Sequence, residues 1–147
     1  MPAKEPRPVS RFALTLGGNE EVAVFRECTG MDSETEVTEH KSIDAKGNPF
    51  VRKVAGATKW TNITLKRGVD TNKKLWDWRQ KVVEKGPDAA RVDGTIKLLD
   101  YDGSAILAYK FLQGWPIKYG GVTLNASSND IAMEEVVICH EGLSRES

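Results

Sequence analysis

Side chains able to do chemistry are few in this sequence and badly spaced for catalysis. The histidines are His40 and His140, each set among acidic residues, and the cysteines are Cys28 and Cys139. A metal centre made from these four would have to gather them from distant positions, without the short paired-ligand spacing that pre-forms half a site. Glu134 and Glu135 are adjacent, and on a strand they point to opposite faces, so they cannot serve one bond as acid and base. The same objection of closeness in sequence holds for Asp100 and Asp102. No serine sits in a Gly-x-Ser-x-Gly elbow. The glycine pairs Gly17-Gly18 and Gly120-Gly121 read as turns, and the helix after Lys66-Arg67-Gly68 lacks the glycine run of a phosphate loop. Basic–aromatic neighbours (Lys59-Trp60, Lys110-Phe111, Lys118-Tyr119) are the parts of a nucleic-acid platform, but scattered pairs are ordinary sheet surface. The residues therefore imply no reaction, no metal and no cofactor.

The elements around them are organised on Thr58 to Val83. Trp60 to Lys66 alternates and is rich in β-branched residues, which predicts a half-buried strand. Gly68 stops it, and Asp70 or Thr71 is placed to cap a helix from Asn72 to Lys85. On that helix Leu75, Trp76, Trp78, Val82 and Val83 fall on one face, with Arg79 inside the apolar arc, so the helix should lie as a lid on a β core. The expected helix–sheet core is Trp60, Leu75, Trp76, Trp78 and Val82.

The rest of the chain reads as strands. Phe12–Leu16 and Glu21–Cys28 form a hairpin around Gly17-Gly18-Asn19. Ser33–Glu39 is a strand with almost no apolar side; Glu34, Glu36 and Thr38 share one face. Such a strand suits a channel, a sheet edge or a partner surface, or is simply solvated. His40–Ala57 lacks clear periodicity and reads as a long loop whose Phe50, Val51 and Val54 need cover. Gly86-Pro87-Asp88 ends the helix. Val92–Leu99 and Ala105–Gln113 pair around Asp100–Gly103 and, being apolar on both faces, should be central. Gly114-Trp115-Pro116 breaks the second of them, Gly120–Asn129 is a loop, and Ile131–His140 is the last strand. One helix and hairpin connections predict a mainly β fold, a two-sheet antiparallel sandwich or barrel with one α-helix at about 72–85.

Length and charge set the outer limits. A chain of 147 residues suits one domain, with residues 1–10 as a flexible arm and 11–147 as the domain. Lys plus Arg equals Asp plus Glu at 21 each, so no global field recruits nucleic acid or an acidic membrane. No apolar run approaches a membrane span, and the N-terminus lacks the apolar core of a signal peptide, which implies synthesis in a cytoplasm and unpaired thiols. The charge is nevertheless blocked: residues 20–39 carry −6, 41–85 carry +8 and 130–147 carry −4. Such blocks either neutralise one another inside one fold or suit head-to-tail association.

Several strings occur together and in order: Phe25-x-Glu27 to Gly30-Met31, Glu34-x-Glu36-Val37, Asn62-Ile-Thr-Leu-Lys-Arg-Gly68 and Leu75-Trp-Asp-Trp78. Leu98-Leu-Asp100, Gly114-Trp-Pro116, Leu124-Asn-Ala126 with Asn129, and His140-Glu-Gly-Leu143 follow. Through them the chain resembles, over about residues 11–145, the tail tube proteins of contractile phage tails and related contractile injection systems. The resemblance implies hexameric rings whose sheets join between subunits into one barrel around a lumen. It also implies head-to-tail stacking inside a sheath, and contacts with baseplate, spike and tail-terminating proteins. DNA or protein cargo would pass through the lumen, with no direct membrane insertion by this subunit. The particle would be assembled in a bacterial cytoplasm, with release left open, as is the choice among phage, bacteriocin-like device and injection machine.

In that setting Glu34, Glu36 and Thr38 would line a lumen or subunit seam. Lys46, Asn48, Phe50, Val51, Arg52, Lys53 and Val54 would form a ring-stacking loop. The loop departs from many relatives, which carry an aromatic and a basic-Gly run where this chain reads His40-Lys-Ser-Ile. Two other readings stay open: a monomeric barrel holding a small apolar ligand near Trp60, Trp76 and Trp78, and a secreted ring that carries effectors. A small hydrolase has no nucleophile–base pair to rest on.

Overall fold

A computed structural model describes residues 11–17, 21–68, 72–120 and 133–146. The expected N-terminal arm, most of the first turn, the Asp70 or Thr71 cap and the loop beyond Gly120 lie outside the described residues. In chain order the elements are β1 (Arg11–Leu16), β2 (Glu21–Phe25), β3 (Glu27–Thr29), β4 (Ser33–Ile43), β5 (Pro49–Trp60) and β6 (Ile63–Gly68). There follow α1 (Lys74–Lys85), α2 (Pro87–Ala90), β7 (Val92–Leu99), β8 (Ala105–Gly120), β9 (Met133–Cys139) and β10 (Gly142–Arg145). The chain divides into two compact units, Asp32–Thr61 and the remainder.

The larger unit is an antiparallel sheet in the order β2-β1-β7-β8-β9-β6-β3, with β10 added beside β8. The expected hairpin of β1 with one long strand is cut at Arg26. There the chain leaves β1 and, through Arg26 N–H donating to Lys66 O at 2.8 Å, joins β6 as β3. The central strand β8 is longer than expected. Gly114-Trp115-Pro116 bends it instead of ending it: its first half pairs with β7, and Trp115–Gly120 pairs with β9. At the bend Gln113 takes a positive φ of 51° and donates its N–H to Asp93 Oδ1 at 3.0 Å. Pro116 falls next to a register shift, where its missing N–H interrupts nothing further.

Burial follows the alternation of the strands. Ile63 and Leu65 of β6 face Ile138 and Val136 of β9, all four fully buried. Phe25, Leu14, Ile96 and Phe111 complete the same cluster, so the interior is filled by side chains from both halves of the bent sheet. Phe111 fits because its cross-strand neighbour is glycine: a Cβ on Gly94 would lie 2.2 Å from its ring.

Helix α1 starts at Lys74, whose N–H is accepted by Asn72 Oδ1 at 2.9 Å, and ends at Gly86. It buries a narrower stripe than the broad arc expected. Leu75 and Trp78 are in the core, Val82 packs at its rim, and Trp78 donates its indole N–H to Ala90 O at 2.8 Å. Trp76 is 49% exposed and Val83 is 61% exposed, because the positions that touch the core are 75, 78 and 82. Trp76 instead meets Tyr119 edge-on, with ring centroids 5.8 Å apart. The expected strand from Trp60 to Lys66 is two strands: Trp60 ends β5, half-buried, and β6 starts at Ile63. Within the expected last strand, Ile131–His140, the structure has β9, and a further short strand, β10, follows His140.

Candidate assembly surfaces

The segment expected as a long loop, His40–Ala57, is mostly the tip and second strand of an extended hairpin. β4 and β5 pair from Ser33↔Trp60 to Ile43↔Pro49. Its periodicity is hidden because nearly every residue of both strands is exposed, so neither face was sorted by burial. A compact turn closes it: Asp44 Oδ1 accepts the N–H groups of Lys46 and Asn48, each at 2.9 Å, and Gly47 takes φ 82°. Lys46 and Asn48 thus belong to the turn, while Phe50, Val51, Arg52, Lys53 and Val54 run up β5.

The register sorts these side chains. One face carries Glu34, Glu36, Thr38, His40 and Ser42 with Lys59, Val54, Arg52 and Phe50. The other carries Thr35, Val37, Glu39, Lys41 and Ile43 with Thr58, Ala55, Lys53, Val51 and Pro49. A bulge lies between Thr35 and Val37, where Gly56 lets β5 approach Glu36. Lys59 Nζ reaches Glu36 Oε1 at 2.5 Å, and the Thr35 and Thr58 hydroxyls bond across the opposite face at 3.0 Å.

The blocked charge of the sequence largely folds onto itself. The acidic strand β4 lies against the basic strand β5, with Glu34 opposite Lys59 and Glu39 opposite Lys53. In the larger unit the acidic C-terminal block meets the basic middle of the chain. Lys66 and Arg67 of β6 face Glu135 and Glu134 of β9, Lys118 Nζ is 2.7 Å from Glu135, and Arg91 is 3.2 Å from Glu141. The Lys118 hydrogen bond holds the Glu135 carboxyl below the usual carboxylate range.

One polar cluster in the larger unit escaped the sequence. Arg67 and Glu134 are both buried and bonded Nε to Oε1, and Tyr119 donates its hydroxyl to Glu134 Oε2 at 2.5 Å. The Arg67 guanidinium also lies 5.6 Å from the centre of the Phe25 ring. Burial, then the bond to Glu134, pushes the Tyr119 hydroxyl up to about 12. The only trace in the sequence is a basic strand and an acidic strand; which two charges turn inward depends on the register of β6 against β9. This pairing is what allows the charges to be buried.

The other polar candidates remain apart. Cys28 and Cys139 are free thiols, and burial pushes Cys28 up to about 11, which keeps it protonated. His140 is buried, bonded through Nδ1 to Gly142 O and beside the Phe111 ring, whereas His40 is exposed on the hairpin opposite Arg52. Among the described residues no group of three or more His, Cys, Asp or Glu side chains is placed to hold a metal. Trp78 lines an open groove of about 420 Å³ with Leu16, Val22 and Ala90; Trp76 is not in its wall.

No curated protein sequence matches the chain significantly. Solved structures do. The tube of an extracellular contractile injection system, PVC, seen in its sheath–tube complex in the extended state, is similar over 97% of this chain and 92% of its own. Its identity is 27% and its TM-score 0.76. The PVC sheath/tube terminator is similar over 99% of this chain and 100% of its own, at 28% identity and TM-score 0.78. Hcp1 from Flavobacterium johnsoniae shares the fold over 92% of this chain and 94% of its own, at 18% identity and TM-score 0.54. The model of the T4-like virus tail tube protein gp19 matches residues 8–144. A bent antiparallel sheet, one lid helix and a long uncovered hairpin are therefore the form that this chain gives to the T4-like tail tube protein family, to which it belongs.

Proposed function

We propose that this chain is the inner-tube subunit of a contractile injection system, forming stacked hexameric rings inside a sheath and doing no chemistry of its own. The family match across residues 8–144 carries this reading. The likeness to a tube seen in a sheath–tube complex, over nearly the full length of both chains, supports it. The hairpin gives it a physical reason. Val37, Ile43, Phe50, Val51 and Val54 are each between 44% and 71% exposed on a two-stranded ribbon, and such a ribbon is marginal in water without cover. In this reading Lys46, Asn48 and the β5 residues Phe50 to Val54 stack ring on ring, and Glu34, Glu36 and Thr38 belong to the lumen or a subunit seam. The partners are further copies of the chain, a sheath protein, and baseplate, spike and terminating proteins. The lumen takes DNA or protein cargo, and the particle is assembled in a bacterial cytoplasm.

Negative-stain electron microscopy of the purified chain across a concentration series, with light scattering, tests it. Sixfold rings or stacked tubes are expected, seeded by baseplate if they do not form alone. A strict monomer, even with a baseplate-containing lysate, would overturn it. Deleting Lys46 to Lys53 should leave the larger unit folded and abolish stacking.

A further inference from the structure

Helix α1 carries two unlike flanks beside its buried stripe. Trp76 and Val83 are on one, where Trp76 meets Tyr119. On the other, Lys74, Lys81 and Lys85 fall within about 40° of one line along the helix, at 3.6 residues per turn, and all three are exposed. Beside that lysine row the larger unit leaves an open groove of about 420 Å³. Lys74, Asp77 and Lys81 form one rim, and Leu16, Val22, Trp78 and Val92 supply apolar lining. Helix α2 adds Ala89 and Ala90, whose methyl groups leave the space unfilled. The Trp78 indole N–H is already donated to Ala90 O, so the ring offers the groove an apolar surface and no donor. Arg91, the remaining base of the lining, is bonded to Asp88 and Glu141. The groove is apolar within and positive along one edge.

We infer that this groove docks an acidic amphipathic helix from a protein other than this chain. Charge gives the sign. Over residues 73–91 the bases Lys73, Lys74, Arg79, Lys81, Lys85 and Arg91 stand against Asp77, Glu84 and Asp88, an excess of three positive charges in a chain that is neutral overall. Spacing gives the shape. Lys81 stands roughly 10 Å along the axis from Lys74, and Lys85 roughly 6 Å further, at 1.5 Å per residue. A second helix laid along α1 has the same rise. Carboxylates at its i, i+7 and i+11 positions therefore meet the three lysines, while the apolar stripe beside them enters the groove. A second copy offers no such helix. Among the described residues its helices are α1, which is itself basic, and α2, which has four residues. The inference goes beyond the tube reading and does not rest on it, since the groove lies wholly within the larger unit of one chain.

The probe is a fluorescent synthetic helical peptide with a leucine stripe and glutamates at i, i+7 and i+11 beside it. It is titrated into the dilute full chain and read by anisotropy, with the thermal midpoint as a fold control. Wild type should bind it saturably. Lys81→Glu with Lys85→Glu should weaken binding roughly tenfold or more. Ala89→Glu, which puts a carboxylate into the groove at an exposed position, should do the same at an unchanged midpoint. Lys46→Glu with Lys53→Glu makes the same change of net charge on the hairpin, and Val83→Asp alters the opposite flank of α1; both should bind like wild type. A wild-type chain that shows no saturation would overturn the inference. So would equal binding of a peptide with lysine in place of glutamate, or binding lost in the hairpin or Val83 variant. Two further outcomes name other occupants and overturn it as well. Dodecanoate bound more tightly than the peptide means a small amphipathic anion, and peptide binding that disappears when the chain assembles means that a second copy covers the groove.

Discussion

The larger unit and the hairpin are built from similar amounts of β-branched and aromatic sequence, yet they stand at opposite ends of packing. In the larger unit Phe111, Leu14, Ile63 and Ile138 are fully buried, and even a charged pair, Arg67 with Glu134, is enclosed and bonded. In the hairpin Val37, Val51 and Ile43 are more than half exposed, and the ion pair of Lys59 with Glu36 is open to water. Interior density makes each core atom matter, whereas a surface ribbon tolerates change until something covers it. Substitutions should therefore divide by unit: those in the first change the stability of the isolated chain, and those in the second change only what the chain assembles into.

The largest effects belong to the larger unit. Gly30 has φ 89°, and a Cβ there would lie 1.9 Å from the backbone oxygen of Asn62, which no side-chain rotation relieves. Gly30→Ala should cost about 3 kcal/mol or more. Phe111→Ala should cost about 3–5 kcal/mol by leaving a cavity at the bend of β8. Urea denaturation monitored by circular dichroism checks both; a loss under about 1 kcal/mol in either would mean that the packing around that residue is looser than its contacts imply.

The buried ion pair sharpens the same contrast. Glu134→Leu leaves the Arg67 guanidinium buried without its carboxylate and should cost about 3–5 kcal/mol. Arg67→Met together with Glu134→Leu should recover most of that, since two apolar side chains can fill the space without desolvating a charge. Equal losses in the single and double variants would show that the pair acts through something other than charge burial. Glu36→Leu, breaking the exposed pair on the hairpin, should change stability by less than about 1 kcal/mol.

A smaller effect follows from Tyr119. Its hydroxyl titrates at about 10 when unfolded and about 12 when folded, held up by burial and by Glu134. The unfolded chain therefore releases this proton first. The contribution is fully present below about pH 10 and is lost as pH rises towards about 12. Tyr119→Phe should remove that part of the alkaline loss, so the wild-type and variant stability curves should converge above pH 10. Parallel curves through the window would refute the assigned cause.

What the sequence made legible divides along the same boundary. Alternation found β1 and β6, most cleanly in β6, where Ile63 and Leu65 are in and Thr64 and Lys66 lean out, whereas β7 and the first half of β8 show as runs apolar on both faces. It missed the extent of β5 because nearly every residue of that strand is exposed, so polar and apolar residues are not sorted into alternate positions. It missed the continuation of β8 through Gly114-Trp115-Pro116 because the signals of a strand end are also those of a bend. The exposure of Trp76 was hidden because a helical arc shows which residues are apolar and not how much of that arc its neighbours reach. Glu34, Glu36 and Thr38 shared a face by simple alternation, whereas the Arg67–Glu134–Tyr119 cluster joins three strands and needed their registers.

The smallest predicted effect is the one that decides between the two regimes. Val51→Ser and Ile43→Ser remove exposed apolar side chains from the hairpin, so in the isolated monomer each should shift stability by no more than about 0.5 kcal/mol. The same substitutions in the assembled state remove apolar area that a neighbour would cover, and burial is worth roughly 25 cal/mol per Å². The critical concentration for assembly should therefore rise while the thermal midpoint of the dilute chain stays fixed. Measuring both on one preparation separates the contributions. If instead the midpoint falls and the critical concentration does not rise, the hairpin is being stabilised by its own chain, and its exposed residues are not an assembly surface.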